Sequence, residues 1–176
     1  MKLRIKSTTL TLKLIGWLQI IGGLTGLGLV AYLMLQTGTI NGAVLLIFVI
    51  GLALFSFSIY AGKSLLTDQR KTAAIVLSII NQVAQLFQWS IFGHGLSYSS
   101  GAEFTLGIKG LAVNFNFSAI MSTFKMAINS DDEFFIKVNL LAVLIILVLA
   151  DVLRELNEKT EKIEAGQLQT EELATE

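Results

Sequence analysis

Long stretches without a charged residue dominate the pattern of hydrophobic and polar positions along this chain. No Asp, Glu, Lys or Arg occurs in residues 14–62 or in residues 72–102. Four apolar segments approach or exceed about 20 residues, the length at which a helix crosses a bilayer. These segments cover residues 14–35, 43–61, 72–92 and 134–153. The pattern therefore predicts an all-α integral membrane protein, a bundle of four transmembrane helices.

Composition agrees with a membrane environment. Hydrophobic residues make up 53% of the chain and charged residues 15%, against about 25% charged residues in an average soluble domain. The 13 basic residues balance the 13 acidic ones, so the net charge favours no binding to nucleic acid. Cysteine is absent, which excludes disulfides and thiolate metal sites. The lipid bilayer is the expected partner, and no cofactor or metal is indicated.

The basic residues predict the orientation of the chain in the membrane. Ten of them flank the apolar segments on one side, and only Lys109, Lys125 and Lys137 fall on the other. Basic residues concentrate in cytoplasmic loops. The sequence thus predicts a multi-pass protein of the cytoplasmic (inner) membrane with both termini in the cytoplasm. Residues 154–176 are expected to form a cytoplasmic helix that ends in a disordered tail.

The long connection at residues 93–133 contains an alternating pattern that predicts a β-hairpin over residues 104–117. Alternation with a period of two places one set of side chains on a single face of the strands. The apolar set is Phe104, Leu106, Ile108, Leu111, Val113, Phe115 and Phe117. With Lys109-Gly110 as a two-residue loop, Ile108 would lie opposite Leu111. The hairpin belongs to a small extracytoplasmic cap with an exposed apolar face, and residues 118–128 fit a third strand or a helix equally well.

A polar stripe is expected on the third membrane segment. At 100° per residue its members fall within an arc of about 120°. They are Ser78, Asn81, Gln82, Gln85 and Gln88. Polar groups in hydrocarbon are expected to face the interior of the bundle or a partner. Hydrogen bonding between helices is the favoured role, because no ionisable residue joins the stripe as a proton or ion relay would require. A water-lined path or a docking face for another subunit is the alternative.

Other candidate residues have simpler interpretations. Gly22 and Gly26 form a GxxxG pair, which predicts close helix packing. His94 is the only histidine and is expected to be an interfacial residue, since a zinc site needs three or four ligands. Asp151 is expected at the inner surface, paired with Arg154. The acidic residues 131–133 are expected to cap the fourth segment.

No phosphate loop, zinc-protease motif or nucleophile elbow occurs. The expected function is therefore that of a non-catalytic accessory or assembly subunit of a larger membrane complex, bound to other membrane subunits or to itself. The alternative is a self-associating small channel or transporter whose polar stripe lines the path. An enzyme ranks third.

Overall fold

The structure, a computed structural model, describes residues 7–67, 71–109, 112–119, 122–127 and 134–175. These residues form four helices and a six-stranded sheet. The helices are α1 (Thr8–Gln36), α2 (Gly42–Thr67), α3 (Lys71–Ala84) and α4 (Leu140–Thr175). The strands are β1 (Phe87–Ile91), β2 (His94–Ser99), β3 (Glu103–Lys109), β4 (Ala112–Ser118), β5 (Thr123–Ala127) and β6 (Phe135–Asn139).

Helices α1 and α2 are long and apolar enough to cross a membrane. They contain 29 and 26 residues, about 44 and 39 Å at 1.5 Å per residue. Each begins at a polar cap, because the Ser7 hydroxyl accepts a hydrogen bond from the Leu10 amide and Asn41 Oδ1 accepts one from the Val44 amide. A connection of five residues joins the helices, which pack against each other as a hairpin.

The prediction of an all-α bundle of four transmembrane helices is wrong. Within the described residues, two helices are candidate membrane spans, and the chain after α3 forms an antiparallel sheet. Helix α3 ends at Ala84, before β1, and α4 begins only after β6. The physical reason is alternation: in 87–91 and 135–139 successive side chains belong to opposite faces of a sheet, a period that a helix cannot accommodate. The overall apolarity of both segments concealed this signal.

The sheet has the strand order β4-β3-β6-β1-β2-β5, and every neighbouring pair is antiparallel. In the β3–β4 hairpin, Ile108 lies opposite Val113 and Phe104 opposite Phe117. The predicted register was therefore wrong by two residues, a shift that leaves each side chain on the same face. The predicted partner Leu111 lies outside the described residues. Of the two alternatives for 118–128, the described part is a strand, β5, which pairs with β2.

A tight turn joins β1 to β2. Ile91 lies opposite His94, so the loop consists of Phe92 and Gly93. Both have a positive φ, 50° and 77°, as expected for the turn type whose twist matches that of the flanking strands. Glycine adopts this conformation freely, but a bulky side chain such as that of Phe92 is strained in it. The strain is local, because Phe92 is 96% exposed.

The two faces of the sheet differ sharply in polarity, and much of the polar face is buried. One face carries small and polar side chains, of which Ser90, Ser99 and Thr105 are at most 1% exposed. The other face carries mostly apolar side chains, and it is covered at the β2–β5 end and exposed at the β3–β4 end. A sheet in a soluble protein usually buries its apolar face.

Two apolar clusters hold the helices and the sheet together. The first lies among α1, α3 and α4 and consists of Leu12, Ile15, Ile75, Ile145, Leu149 and Val152. The second lies where α1 and α2 meet β2 and β5 and consists of Val30, Phe48, Phe55, Tyr98 and Phe124. In the second cluster the Phe55 ring packs edge-on against Tyr98 and Phe124, with centroids 5.3 and 6.2 Å apart. The sheet is therefore anchored to the helical hairpin by aromatic side chains.

Candidate functional site

A layer of buried polar side chains joins the helices to the segment between β2 and β3. We call it the polar layer; its members are Gln19, Ser58, Ser78, Asn81 and Ser100, none more than 3% exposed. Ser78 Oγ donates to Gln19 Oε1 at 3.1 Å, and Asn81 Nδ2 donates to Ser58 Oγ at 3.2 Å. Ser58 Oγ lies 2.8 Å from Ser100 Oγ. These bonds fix α1, α2, α3 and the β2–β3 connection relative to one another.

Tyr98 adds an aromatic side chain to the polar layer. It is 1% exposed, and its hydroxyl donates to the Leu54 carbonyl at 2.9 Å, with Asn81 Oδ1 as a second acceptor at 3.4 Å. Burial raises the pKa of the Tyr98 phenol above its ordinary value of about 10. The hydroxyl therefore stays protonated over the physiological pH range and acts as a hydrogen-bond donor.

The five residues of the predicted polar stripe are all buried, but they do not lie on one helix. Ser78, Asn81 and Gln82 belong to α3, Gln85 lies in the turn after it, and Gln88 belongs to β1. Gln85 Oε1 accepts from the Ser100 amide at 2.8 Å, and Gln88 Nε2 donates to Glu103 Oε2 at 2.9 Å. The described hydrogen bonds thus join parts of this chain, and the functional role of the stripe stays a prediction.

Several buried polar atoms of the described residues lack a hydrogen-bond partner. They are Gln19 Nε2, Ser90 Oγ, Ser99 Oγ and Thr105 Oγ1. Three of these four atoms belong to the polar face of the sheet. The polar face of the sheet therefore holds hydroxyl groups for which the described residues supply no partner.

The exposed part of the apolar sheet face is formed by the β3–β4 hairpin. We call it the hairpin surface; the described members are Phe104, Leu106, Ile108, Val113, Phe115 and Phe117. Leu106 is partly buried, whereas Val113, Phe115 and Phe117 are 64%, 69% and 70% exposed. Strand β4 is an edge of the sheet and carries no charged residue. The hairpin surface therefore combines an apolar face with an open, uncharged strand edge.

The two glycines of the GxxxG pair make different contacts. A Cβ at Gly22 would overlap the backbone of Ser100 and Gly101, and one at Gly26 would overlap the Phe55 ring of α2. The lack of a side chain at Gly22 therefore lets the β2–β3 connection pack against α1. The lack of a side chain at Gly26 lets α2 pack closely against the same helix. Gly101 has φ 96°, which glycine tolerates and other residues do not.

The remaining predicted residues lie apart from the polar layer. His94 begins β2 and is exposed. Among the residues that the structure describes, no three His, Cys, Asp or Glu side chains are placed to hold a metal ion. Asp151 Oδ1 accepts a hydrogen bond from Arg154 Nη2 at 3.0 Å. The acidic residues 131–133, predicted to cap the fourth segment, lie outside the described residues; the α4 amides of Leu141 and Ala142 are capped by Asn139 Oδ1.

Most hydrogen-bond partners of the polar stripe were not predicted from the sequence. Gln19 and Ser58 lie in α1 and α2, where polar residues are few and each is a signal of an inward-facing contact. Ser100 and Tyr98 had no such signal, because Ser-Ser-Gly is common in exposed loops. A comparison with known protein families, with curated proteins and with solved structures finds no match.

Proposed function

We propose that this chain is a non-catalytic membrane protein that acts as an accessory or assembly subunit of a larger membrane complex. The hairpin surface carries the proposal, because it presents an open strand edge beside three exposed apolar side chains. The partner it fits is an uncharged extended segment of another membrane subunit, added as a seventh strand.

The apolar surface of the protein as a whole supports the need for such a partner. Exposed apolar side chains also cover α1 and α2, for example Leu24 and Val49, 58% and 53% exposed. An apolar environment offers no hydrogen bonds to the free N–H and C=O groups of an edge strand. Those groups of β4 are satisfied when another strand pairs with them. A subunit that exposes such an edge is therefore incomplete by itself.

We place α1 and α2 as a two-span hairpin in the cytoplasmic (inner) membrane, with both termini cytoplasmic. Lys13 in α1 and Lys63 in α2 lie at the same end of the hairpin, and residues 14–62 between them are free of charge. Thr8 of α1 and Glu155 of α4 line one cavity at this end. The start of α1 and the charged part of α4 thus share one side, which supports a common location of the termini.

The test is gentle extraction from the native membrane followed by mass determination of the intact complex. Other polypeptides at fixed stoichiometry are expected. Phe115→Lys, on the apolar face of β4, is expected to release them. Asn114→Lys adds the same charge to the opposite face of the same strand and serves as the matched control, because the Asn114 side chain bonds only locally to the Ala112 carbonyl.

A protein extracted alone, or a complex that survives Phe115→Lys unchanged, would contradict the proposal. A homo-oligomer without other polypeptides would favour the alternative function, a self-associating channel or transporter. No contact among the described residues favours that alternative, because the hydrogen bonds of the stripe join buried groups of this chain.

A further inference from the structure

A cavity of about 260 Å³ opens at the basic end of the helices, and no described residue of the hairpin surface lines it. All four helices contribute to its wall. The inner side is apolar and includes Leu12 and Val152, which are buried in the first apolar cluster. The outer side is polar and includes Lys13, Lys71 and Thr67. The cavity is therefore amphipathic, with its polar side at the level of the basic residues.

The charges around the cavity favour an anion. Among the described residues that line the cavity, the ammonium groups of Lys13 and Lys71 and the carboxylate of Glu155 give a net charge of +1. Within the part of the chain that the structure describes, neither lysine has an ion-pair partner. Thr8 and Lys71 also lie in the first turns of α1 and α3, where the helix dipole adds partial positive charge. A singly charged phosphate diester would neutralise the net charge of this wall.

The shape and location of the cavity further restrict the class of ligand that it can bind. The Thr9 hydroxyl group lines the same cavity as the lysines and can donate to a phosphate oxygen. The volume lies just below the range of about 300–1,000 Å³ typical of pockets that enclose a whole small ligand, so it accommodates a headgroup better than an entire lipid. Basic pockets between helices at the cytoplasmic surface bind lipid headgroups in this way.

We propose that this cavity binds the phosphate group of an anionic phospholipid headgroup, with Lys13 and Lys71 as the cationic contacts and the leucine-lined inner wall receiving the adjoining glycerol and first acyl carbons. This site is independent of the hairpin surface and of any partner subunit. It would fix the basic end of the protein to the cytoplasmic leaflet.

The experiment uses the full chain in neutral detergent, titrated with dihexanoylphosphatidylglycerol and followed by intact mass determination. One bound lipid per chain is expected. The double variant Lys13→Gln/Lys71→Gln is expected to weaken binding roughly 25-fold, since each lysine contributes about 1 kcal/mol near a membrane surface, or about fivefold. Lys63→Gln is the matched control, because Lys63 is an exposed base at the same end that does not line the cavity.

Two further ligands distinguish the sources of the phosphate. Competition by inorganic phosphate at the lipid's own concentration would show that the free ion is sufficient, whereas competition only by the lipid would assign the site to the headgroup. Equal binding of uncharged dihexanoylglycerol would overturn the proposal. So would unchanged affinity in the double variant, provided that its circular dichroism spectrum and melting temperature match those of Lys63→Gln.

Discussion

The same apolar face of the sheet meets two different environments at its two ends. At the β2–β5 end, Tyr98 and Phe124 are 1% and 8% exposed and pack against Phe55 of α2. At the β3–β4 end, Phe115 and Phe117 project from an edge strand and are about two-thirds exposed. The side chains are of similar size and polarity at both ends. Their chemistry therefore does not decide which of them is covered; the position of the helical hairpin does.

This difference separates residues that maintain the fold from residues that are free to serve an interface. Burying an aromatic side chain stabilises a protein by about 2–3 kcal/mol. An exposed one contributes little to the isolated chain and is available for a partner. We therefore expect substitutions at the covered end to change stability and substitutions at the open end to change association.

The largest expected difference in stability is the one between Phe124→Ala and Phe117→Ala. Removing the Phe124 ring leaves a cavity between β5 and α2, and such substitutions cost about 3–5 kcal/mol. Phe117, at 70% exposure, should cost about 0.5 kcal/mol or less. Equilibrium unfolding in detergent, followed by circular dichroism, measures both. Equal losses for the two variants would show that the open end is covered within the isolated chain, contrary to the comparison.

The next largest loss of stability is expected where the β2–β3 connection packs against α1. Gly22→Ala forces a methyl group into the backbone of Ser100 and Gly101, and the resulting overpacking should cost about 3 kcal/mol, since backbone moves less readily than a side chain. Gly28 lies on the same helix with open space around it, so Gly28→Ala should be neutral or stabilise by up to about 1 kcal/mol. The midpoints of thermal unfolding of the two variants provide the measurement. A wild-type midpoint for Gly22→Ala would contradict the close approach.

The sequence made some of this arrangement predictable and concealed the rest. The two candidate spans follow from apolar length, and the alternation around Lys109-Gly110 follows from a period of two. The outer end of the third segment was misinterpreted because Gln85 and Gln88 continue a helical spacing that the backbone abandons after Ala84. The outer end of the fourth segment, Phe135–Asn139, was misinterpreted because of its apolarity. Strands β1 and β6 pair with each other across a long stretch of sequence, and β6 also pairs with β3. Pairing between distant strands adds nothing to the local alternation, which the apolarity of both segments concealed. The burial of the polar face of the sheet was also unpredictable, because it too depends on pairing between strands that are distant in sequence.

A smaller effect is expected for Tyr98→Phe, which keeps the ring in the aromatic cluster and removes its hydroxyl. Loss of the hydrogen bond to the Leu54 carbonyl should cost about 1 kcal/mol at pH 7. Because burial raises the pKa of Tyr98 in the folded state, its contribution is complete below the ordinary value of about 10 and is lost as pH rises above it. The variant lacks this titration. Unfolding at pH 7 and pH 11 should therefore show a gap between wild type and variant that narrows at the higher pH. A gap that stays constant would show that the phenol ionises equally in the folded and unfolded states.

The last effect is expected to raise stability and lies in the turn between β1 and β2. Phe92 has a φ of 50° and is 96% exposed, so its ring gains little from the fold while its backbone adopts a conformation that costs a non-glycine residue about 1–2 kcal/mol. Asparagine tolerates this conformation well, and Phe92→Asn should stabilise the isolated protein by about 1 kcal/mol. Gly93→Ala, at φ 77° in the same turn, should destabilise it by a similar amount and serves as the control. Both are measured by unfolding in detergent. A stabilised Phe92→Asn would mean that the wild-type ring is retained for a contact outside the isolated chain, whereas a destabilised one would mean that the exposed ring already supports the sheet.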